Sequence, residues 1–152
     1  MKPWQQASGR LLYWLTWPGL WVYLRFSHRT RVLVVCGQDV LLVKSWLGDG
    51  KWSLPGGGLR HGEESRVGAH RELAEETTLD VPLGDFQFLA STTASGNGLR
   101  YSYDLFVVEE VVQSAANRQR GEIAAIGWYD YRQLSNRQLS QEVQAALHAW
   151  FN

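Results

Sequence analysis

The chain contains 152 residues, and its 15 Lys and Arg residues balance its 15 Asp and Glu residues, so the formal net charge is zero. This length suits one domain with a sizeable core, and the balanced charge excludes binding to nucleic acid through bulk electrostatic attraction alone. Cys36 is the only cysteine, which excludes an internal disulfide and favours a cytoplasmic protein in a reducing compartment.

The amino-terminal part of the chain is an apolar, tryptophan-rich segment. Residues 11–24 are almost entirely apolar, and every charged residue before Asp39 is Lys or Arg. A helix needs about 20 apolar residues to span a bilayer, so this stretch is too short. Two interpretations stay open: a short helix packed on the domain or on a second subunit of a homodimer, or a surface element that contacts lipid at the inner face of a membrane through 11–25. We therefore divide the chain into a segment, 1–29, and a domain, 30–152.

After this segment the pattern changes to short strands. Apolar runs over 31–36 and 40–44, separated by turn residues at 37–39, predict a β-hairpin. Lys44 ends the second run, where its side chain either binds a substrate phosphate or remains solvated. Residues 51–54 then lead into a loop.

A glycine-rich loop and an acidic helix follow. Pro55 precedes three glycines, 56–58, which can neither continue a strand nor support a helix, and which leave backbone that a ligand can approach closely. The next residues predict a helix from about Glu63 to about Thr77. Three carboxylates share one sector of that helix: Glu72, Glu75 and Glu76.

The opposite side of this helix is predicted to be its core face. Two small residues, Gly68 and Ala69, flank the carboxylates, so a ligand is expected to come close to them. The predicted core residues are Val67, His70, Leu73, Ala74 and Thr77.

Three carboxylates on one helical face repel one another and destabilise the helix. A hard divalent cation, Mg²⁺ or Mn²⁺, explains them, since it takes oxygen ligands and shares them with substrate phosphates. The other interpretation is a solvated acidic face. The glycine loop in front of the helix favours the metal.

This stretch resembles the Nudix box, G-x5-E-x7-R-E-U-x-E-E-x-G-U, in which U is a bulky aliphatic residue. Gly57 and Glu63 stand at its first two fixed positions, and 71–79 read R-E-L-A-E-E-T-T-L. Every polar position and both aliphatic positions match, a far more specific signal than a lone glycine motif. Thr78 replaces the late glycine, which is expected to cap the helix in a left-handed conformation that Thr reaches only with strain.

Further strands and a final helix complete the pattern. The runs 86–93 and 99–109 predict two strands joined by a turn at 95–98, and 123–129 and 139–151 predict a last strand and an amphipathic helix. The Nudix resemblance implies an α/β fold, an α/β/α sandwich with a mixed β-sheet, to which the apolar amino-terminal helical segment is added.

The resemblance also implies a reaction. Proteins that this chain resembles hydrolyse a nucleoside diphosphate linked to another moiety, with water attacking a phosphorus of the pyrophosphate. By this resemblance Glu72 and Glu76 are the principal ligands of Mg²⁺ or Mn²⁺. Glu75 and the carbonyl of Gly56 are further ligands. Arg71 is expected to orient a glutamate rather than to bind substrate.

Several roles stay open at the sequence level. Glu63 either helps to orient the other side chains of the site, as Arg71 is expected to do, or is only a negative charge at the start of the helix. The base that deprotonates water is either Glu72 or Glu122, and the other interpretation of Glu122 is a solvated loop charge. Tyr101 and Tyr103 share one strand face and either stack on a nucleobase or pack in the core or rim. The candidate substrate contacts are the backbone of Gly57 and Gly58 and the side chains of Lys44, Tyr101 and Tyr103.

The sequence defines the substrate less closely than it defines the reaction. Residues 94–97 contain neither the proline nor the tyrosine that some Nudix subfamilies carry at this distance beyond the box, which argues against ADP-ribose and dinucleoside polyphosphate specialists. Nucleoside triphosphates, nucleotide sugars and RNA 5′ ends stay open, and a lipid-linked diphosphate is a further idea. The alternative function is a non-catalytic nucleotide-binding effector or scaffold domain, with or without membrane-surface association. Such domains typically lose box carboxylates, and this chain keeps all four.

Overall fold

The computed structural model describes residues 28–46, 49–96, 99–109, 116 and 123–151. Within these ranges, two strands precede the first helix and three more precede the second, with short 3-10 turns at Leu83–Asp85, Tyr131–Gln133 and Asn136–Gln138. The strands and helices are β1 (Arg29–Cys36), β2 (Asp39–Ser45), α1 (Ser65–Thr77), β3 (Gln87–Gly96), β4 (Leu99–Glu109), β5 (Ile123–Asp130) and α2 (Gln141–Phe151).

The strands form one mixed sheet in the order β3-β4-β1-β2-β5. β1 and β4 run parallel, and the other neighbouring pairs are antiparallel. β1 and β2 form the predicted hairpin, with register pairs Val35–Val40 and Cys36–Asp39 beside the turn. β1 pairs with β4 along one edge from Arg29 to Val35, and the glycine loop lies on its other edge toward its start.

The two helices cover opposite faces of this sheet. Successive residues of a strand point to opposite sides, so β1 contributes to both faces. Val32 belongs to a buried cluster with Leu73 of α1. Leu33 belongs to a second buried cluster with Val143 of α2. The predicted α/β/α sandwich with a mixed sheet is confirmed.

Helix α1 begins later than predicted, and its core face is as predicted at Leu73 and Thr77 but not at Val67. It starts at Ser65 rather than Glu63, and the side chain of Glu64 caps it by accepting a hydrogen bond from the amide of Arg66. The predicted core face is wrong for Val67, whose side chain is 41% exposed. The buried residues of α1 are Gly68, Ala69, Leu73 and Thr77.

The two small residues of α1 serve packing and do not leave space for a ligand. Ala69 is fully buried in the cluster between the helix and the sheet. A Cβ atom on Gly68 would lie 2.3 Å from Cδ2 of Leu59. The expectation that Gly68 and Ala69 admit a ligand is therefore wrong, because the residues after the glycine loop pack against this side of the helix.

The carboxyl end of α1 has the predicted left-handed cap. Thr78 has φ 59° and ψ 12°, and its amide donates to the carbonyl of Ala74 at 3.0 Å. The helix therefore ends at the position where the Nudix pattern has glycine, although Thr occupies it.

The later elements follow the prediction closely, with shifted ends. β3 extends to Gly96, and α2 begins at Gln141 rather than at residue 139. Glu122 and the amino-terminal segment up to residue 27 lie outside the described residues. The division of the chain after residue 29 stays a prediction. None of the helices within the described ranges has the length and apolar character needed to cross a membrane.

Candidate functional site

The glycine loop lies along β1 like a short extra strand. The amide of Val32 donates to the carbonyl of Pro55, and the amide of Thr30 donates to the carbonyl of Gly57, each at 2.9 Å. These bonds fix the course of the loop. They hold its backbone beside the acidic face of α1.

Gly56 joins this loop to the acidic face. Its amide donates to Oε2 of Glu76 at 2.8 Å. Its φ of 136° favours glycine, and a Cβ atom there would lie 2.2 Å from the carbonyl oxygen of Thr30. Its carbonyl accepts a hydrogen bond from the guanidinium of Arg31. A carbonyl oxygen has two lone pairs, so this contact leaves one for the predicted metal.

Gly57 brings the loop against Glu72. A Cβ atom at Gly57 would lie 2.6 Å from the carboxylate of Glu72, closer than side-chain atoms normally pack. Only a residue without a side chain lets the backbone approach this closely. The glycine loop and two of the predicted carboxylates therefore form one site.

Arg71 gathers the acidic side chains into a network. Its Nε and Nη2 atoms bind the two carboxylate oxygens of Glu63, at 2.8 and 2.9 Å. Its Nη1 atom contacts Glu72 at 2.7 Å and Glu75 at 3.1 Å. Nη2 also donates to the carbonyl of Gly58 at 3.2 Å. Arg71 thus contacts two predicted metal ligands and anchors the loop.

The opposite charges in this network shift the pKa values of both partners. Hydrogen bonds from Arg71 are the main cause that lowers the pKa of Glu63 from 4.5 to about 2. The hydrogen bond to Glu63 is the main cause that raises the pKa of Arg71 above its ordinary value. Of the two roles predicted for Glu63, the structure shows the contact with Arg71.

This shift leads to a pH-dependent difference in stability between the wild type and Glu63→Gln. Because the folded-state pKa of Glu63 lies below its unfolded value, the stability that Glu63 adds is fully present above pH 4.5. It is lost as the pH falls through the folded-state pKa of about 2. We expect the difference in free energy of unfolding to be constant above pH 4.5 and to shrink below it. Urea denaturation across this range, with Glu109→Gln as control, measures it, and a difference that stays flat down to pH 2 would contradict it.

The predicted metal ligands supply the oxygen donors that Mg²⁺ and Mn²⁺ prefer. Glu72 and Glu76 lie one turn apart on α1. Glu75 is more exposed and also binds Arg60 at 3.3 Å. In the part of the chain that the structure describes, no three His, Cys, Asp or Glu side chains converge on a ready-made site. Because Mg²⁺ typically takes one or two protein carboxylates together with waters and substrate phosphates, this donor set fits it.

The side chains predicted to contact substrate differ in accessibility. Of the two interpretations of Tyr103, packing in the core is confirmed and substrate stacking is wrong, because the side chain is 1% exposed and α2 covers this face of the sheet. Tyr101 is half-buried, and its hydroxyl donates to Glu142. The Nζ atom of Lys44 lies 5.2 Å from the centre of the Trp52 ring.

Sequence reasoning missed a buried ion pair beside the loop. Arg31 is 8% exposed, and its Nε atom lies 2.9 Å from Oε1 of Glu142, which is 3% exposed. Burial on its own lowers the pKa of Arg31, but the carboxylate of Glu142 outweighs it and the pKa is raised. The available signal was a charged residue in the apolar run 31–36, because a buried charge needs a partner.

Comparisons with known proteins agree with the box and the fold. A sequence model of the NUDIX domain matches residues 26–151. A MutT NUDIX hydrolase from Burkholderia pseudomallei has a TM-score of 0.72 at 19% identity, covering 82% of this chain and 97% of that chain. The dihydroneopterin triphosphate pyrophosphohydrolase of E. coli has a TM-score of 0.59 at 18% identity, covering 68% of this chain and 80% of that chain.

A third structure is a larger protein. The bifunctional NMN adenylyltransferase/ADP ribose pyrophosphatase from Francisella tularensis, complexed with AMP and a Mn ion, has a TM-score of 0.66 at 17% identity. The match covers 97% of this chain and 49% of that one. At these identities the likeness establishes a shared fold, while the NUDIX match spans the box, the sheet and both helices. The chain therefore belongs to the Nudix hydrolase family.

Proposed function

We propose that this chain is a metal-dependent hydrolase that cleaves a phosphoanhydride bond in a nucleoside triphosphate or a nucleoside diphosphate derivative. The observation that carries this proposal is the close contact between the glycine loop and the acidic face of α1. The amide of Gly56 binds Glu76 at 2.8 Å, and the backbone of Gly57 lies against Glu72. A pyrophosphate group is densely negative, so a carboxylate site accepts it only with a cation between them.

The carboxylates have distinct proposed roles. Glu72 and Glu76 would hold Mg²⁺ or Mn²⁺, with Glu75 and the carbonyl of Gly56 as further ligands. The bound cation supplies neutralising charge to the phosphate oxygens and lowers the pKa of a bound water. Glu72 or Glu122 takes the proton from the attacking water.

Arg71 and Glu63 prepare these carboxylates before substrate binds. The two bonds between Arg71 and Glu63 fix the guanidinium, and the remaining nitrogen holds Glu72 at 2.7 Å. Because such supporting contacts fix the orientation of a carboxylate, they raise metal affinity without touching the metal.

A nucleotide-like substrate is supported by the structural neighbours. One is a pyrophosphohydrolase of dihydroneopterin triphosphate, and another holds AMP and a Mn ion. In this chain the backbone of Gly57 and Gly58 borders the carboxylates, and Lys44 and Tyr101 are the candidate side-chain contacts. An RNA 5′ end is a further candidate substrate. A homodimer, a cytoplasmic location and lipid contact through 11–25 rest on the sequence alone.

A release assay tests the proposed reaction. Phosphate and pyrophosphate release is measured with nucleoside triphosphates, nucleotide sugars, ADP-ribose and capped or triphosphate RNA, each with Mg²⁺ and with a chelator. We expect hydrolysis of one substrate class that requires the metal. No release from any substrate, with nucleotide binding still detectable, would overturn the proposal in favour of a non-catalytic effector or scaffold domain.

A further inference from the structure

Three consecutive carbonyls of the glycine loop are held by three consecutive residues of β1. The backbone amides of Val32 and Thr30 bind the carbonyls of Pro55 and Gly57. Successive carbonyls of an extended segment point to opposite sides. The carbonyl of Gly56 therefore points away from the backbone amides of β1 that bind the carbonyls of Pro55 and Gly57. The side chain of Arg31 reaches it instead.

This contact depends on a compensating charge from helix α2. Arg31 is buried, and an isolated buried guanidinium is strongly unfavourable. Glu142, at the start of α2, is buried beside it, with the carboxylate 2.9 Å from Nε of Arg31. The hydroxyl of Tyr101 donates to the same carboxylate. Helix α2 therefore supplies the charge that lets an arginine contact the loop.

We propose that Arg31 is a positioning residue of the metal site, which fixes the carbonyl of Gly56, a proposed metal ligand, beside the carboxylate of Glu76. The two contacts of Gly56 lie on either side of its Cα atom: its amide holds Glu76 and its carbonyl binds Arg31. The peptide unit that carries the Gly56 amide is also held by the bond from Val32 to Pro55. The loss of Arg31 would therefore release only the next peptide unit, between Gly56 and Gly57, where two glycines resist rotation least of all residues. This inference rests on the proposed function, in which Glu76 is a metal ligand.

Binding of Mn²⁺ to the full chain, followed by the electron paramagnetic resonance of free Mn²⁺, tests this role without any substrate. The variant is Arg31→Met combined with Glu142→Gln, because replacing both charges avoids a lone buried charge and leaves Tyr101 an acceptor. We expect it to remain folded in a thermal melt and to bind Mn²⁺ about 10- to 100-fold more weakly than the wild type, the usual effect of losing a partner that orients a metal ligand.

A matched control removes a charge pair elsewhere. Asp130 and Arg132 lie 2.7 Å apart at the end of β5, where Asp130 pairs with Asp39 of β2. Replacing them with Asn and Gln is expected to leave Mn²⁺ affinity unchanged.

The outcomes separate the inference from the function on which it rests. Failure of the wild type to bind Mn²⁺ overturns the proposed function. If Glu76→Gln abolishes Mn²⁺ binding but the folded double variant binds Mn²⁺ as tightly as the wild type, the role of Arg31 is overturned. If the double variant does not fold, Arg31→Lys decides, because it keeps the buried charge but has one nitrogen in place of the planar fork. Weakened Mn²⁺ binding by folded Arg31→Lys supports the role, and wild-type affinity overturns it.

Discussion

Replacing Gly57 with alanine is expected to lower turnover about 100-fold while the protein stays folded. A Cβ atom at this position would lie 2.6 Å from the carboxylate of Glu72, whereas ordinary contact begins near 3.4 Å. The carboxylate is the far end of a flexible side chain, so it moves and the fold survives. A displacement of about 1 Å in a reacting site is enough to lose about two orders of magnitude in rate. Steady-state kinetics with the best substrate of the release assay measures this loss.

Gly84 provides the matched control for Gly57→Ala. It lies in the 3-10 turn Leu83–Asp85, and a Cβ atom there would meet nothing within 4 Å. Gly84→Ala is therefore expected to keep turnover within about twofold of the wild type. Equal rates for the two variants would show that the approach of Gly57 to Glu72 has no catalytic consequence.

Replacing Arg71 with methionine is expected to lower the free energy of unfolding by about 3 kcal/mol and turnover by about 10- to 100-fold. Arg71 is the shared partner of Glu63, Glu72 and Glu75. Without it these carboxylates repel one another in a partly buried site. Because Arg71 orients the carboxylates that would hold the metal, its loss weakens metal binding, and Mg²⁺ is expected to stabilise this variant less than it stabilises the wild type. Urea denaturation with and without Mg²⁺ measures both effects.

Arg60 is the comparison for Arg71, since it also binds Glu75 but its side chain is 67% exposed. An exposed ion pair contributes about 0–1 kcal/mol, so Arg60→Met is expected to change stability far less. If the two variants were equally stable, the network around Arg71 would be no more than a surface ion pair.

The sequence was sufficient for the features that depend on local spacing. The helix places Glu72 and Glu76 one turn apart, and the glycines in front of it can form only a loop, so the pairing of loop and carboxylates was predictable. The position of the left-handed cap was predictable because the Nudix pattern has glycine there, whereas the replacement by Thr78 had left its geometry open. These features require no knowledge of what packs on the helix.

The errors concern contacts made by distant elements. Alternation along β4 correctly put Tyr101 and Tyr103 on one face, but it could not show that α2 covers that face and buries Tyr103. Helical periodicity similarly did not show that Leu59 packs on Gly68, and it placed Val67, which is 41% exposed, in the core.

The buried ion pair is the feature that was hardest to predict from the sequence. Arg31 and Glu142 belong to the first strand and the last helix, and their charges are meaningful only as a pair. A lone arginine in an apolar strand indicates that a partner exists. The identity of that partner requires the fold.

The role of Glu76 in metal-dependent hydrolysis is tested most directly by measuring turnover of the wild type and Glu76→Gln at saturating Mg²⁺. Glutamine keeps the shape of the side chain and an oxygen that can accept from the amide of Gly56, but it removes the charge that would bind the metal. We expect the wild type to hydrolyse its substrate only with Mg²⁺, and Glu76→Gln to lose at least about 100-fold in turnover while it melts like the wild type. A rate near that of the wild type for Glu76→Gln under saturating Mg²⁺ would contradict the assignment of this site.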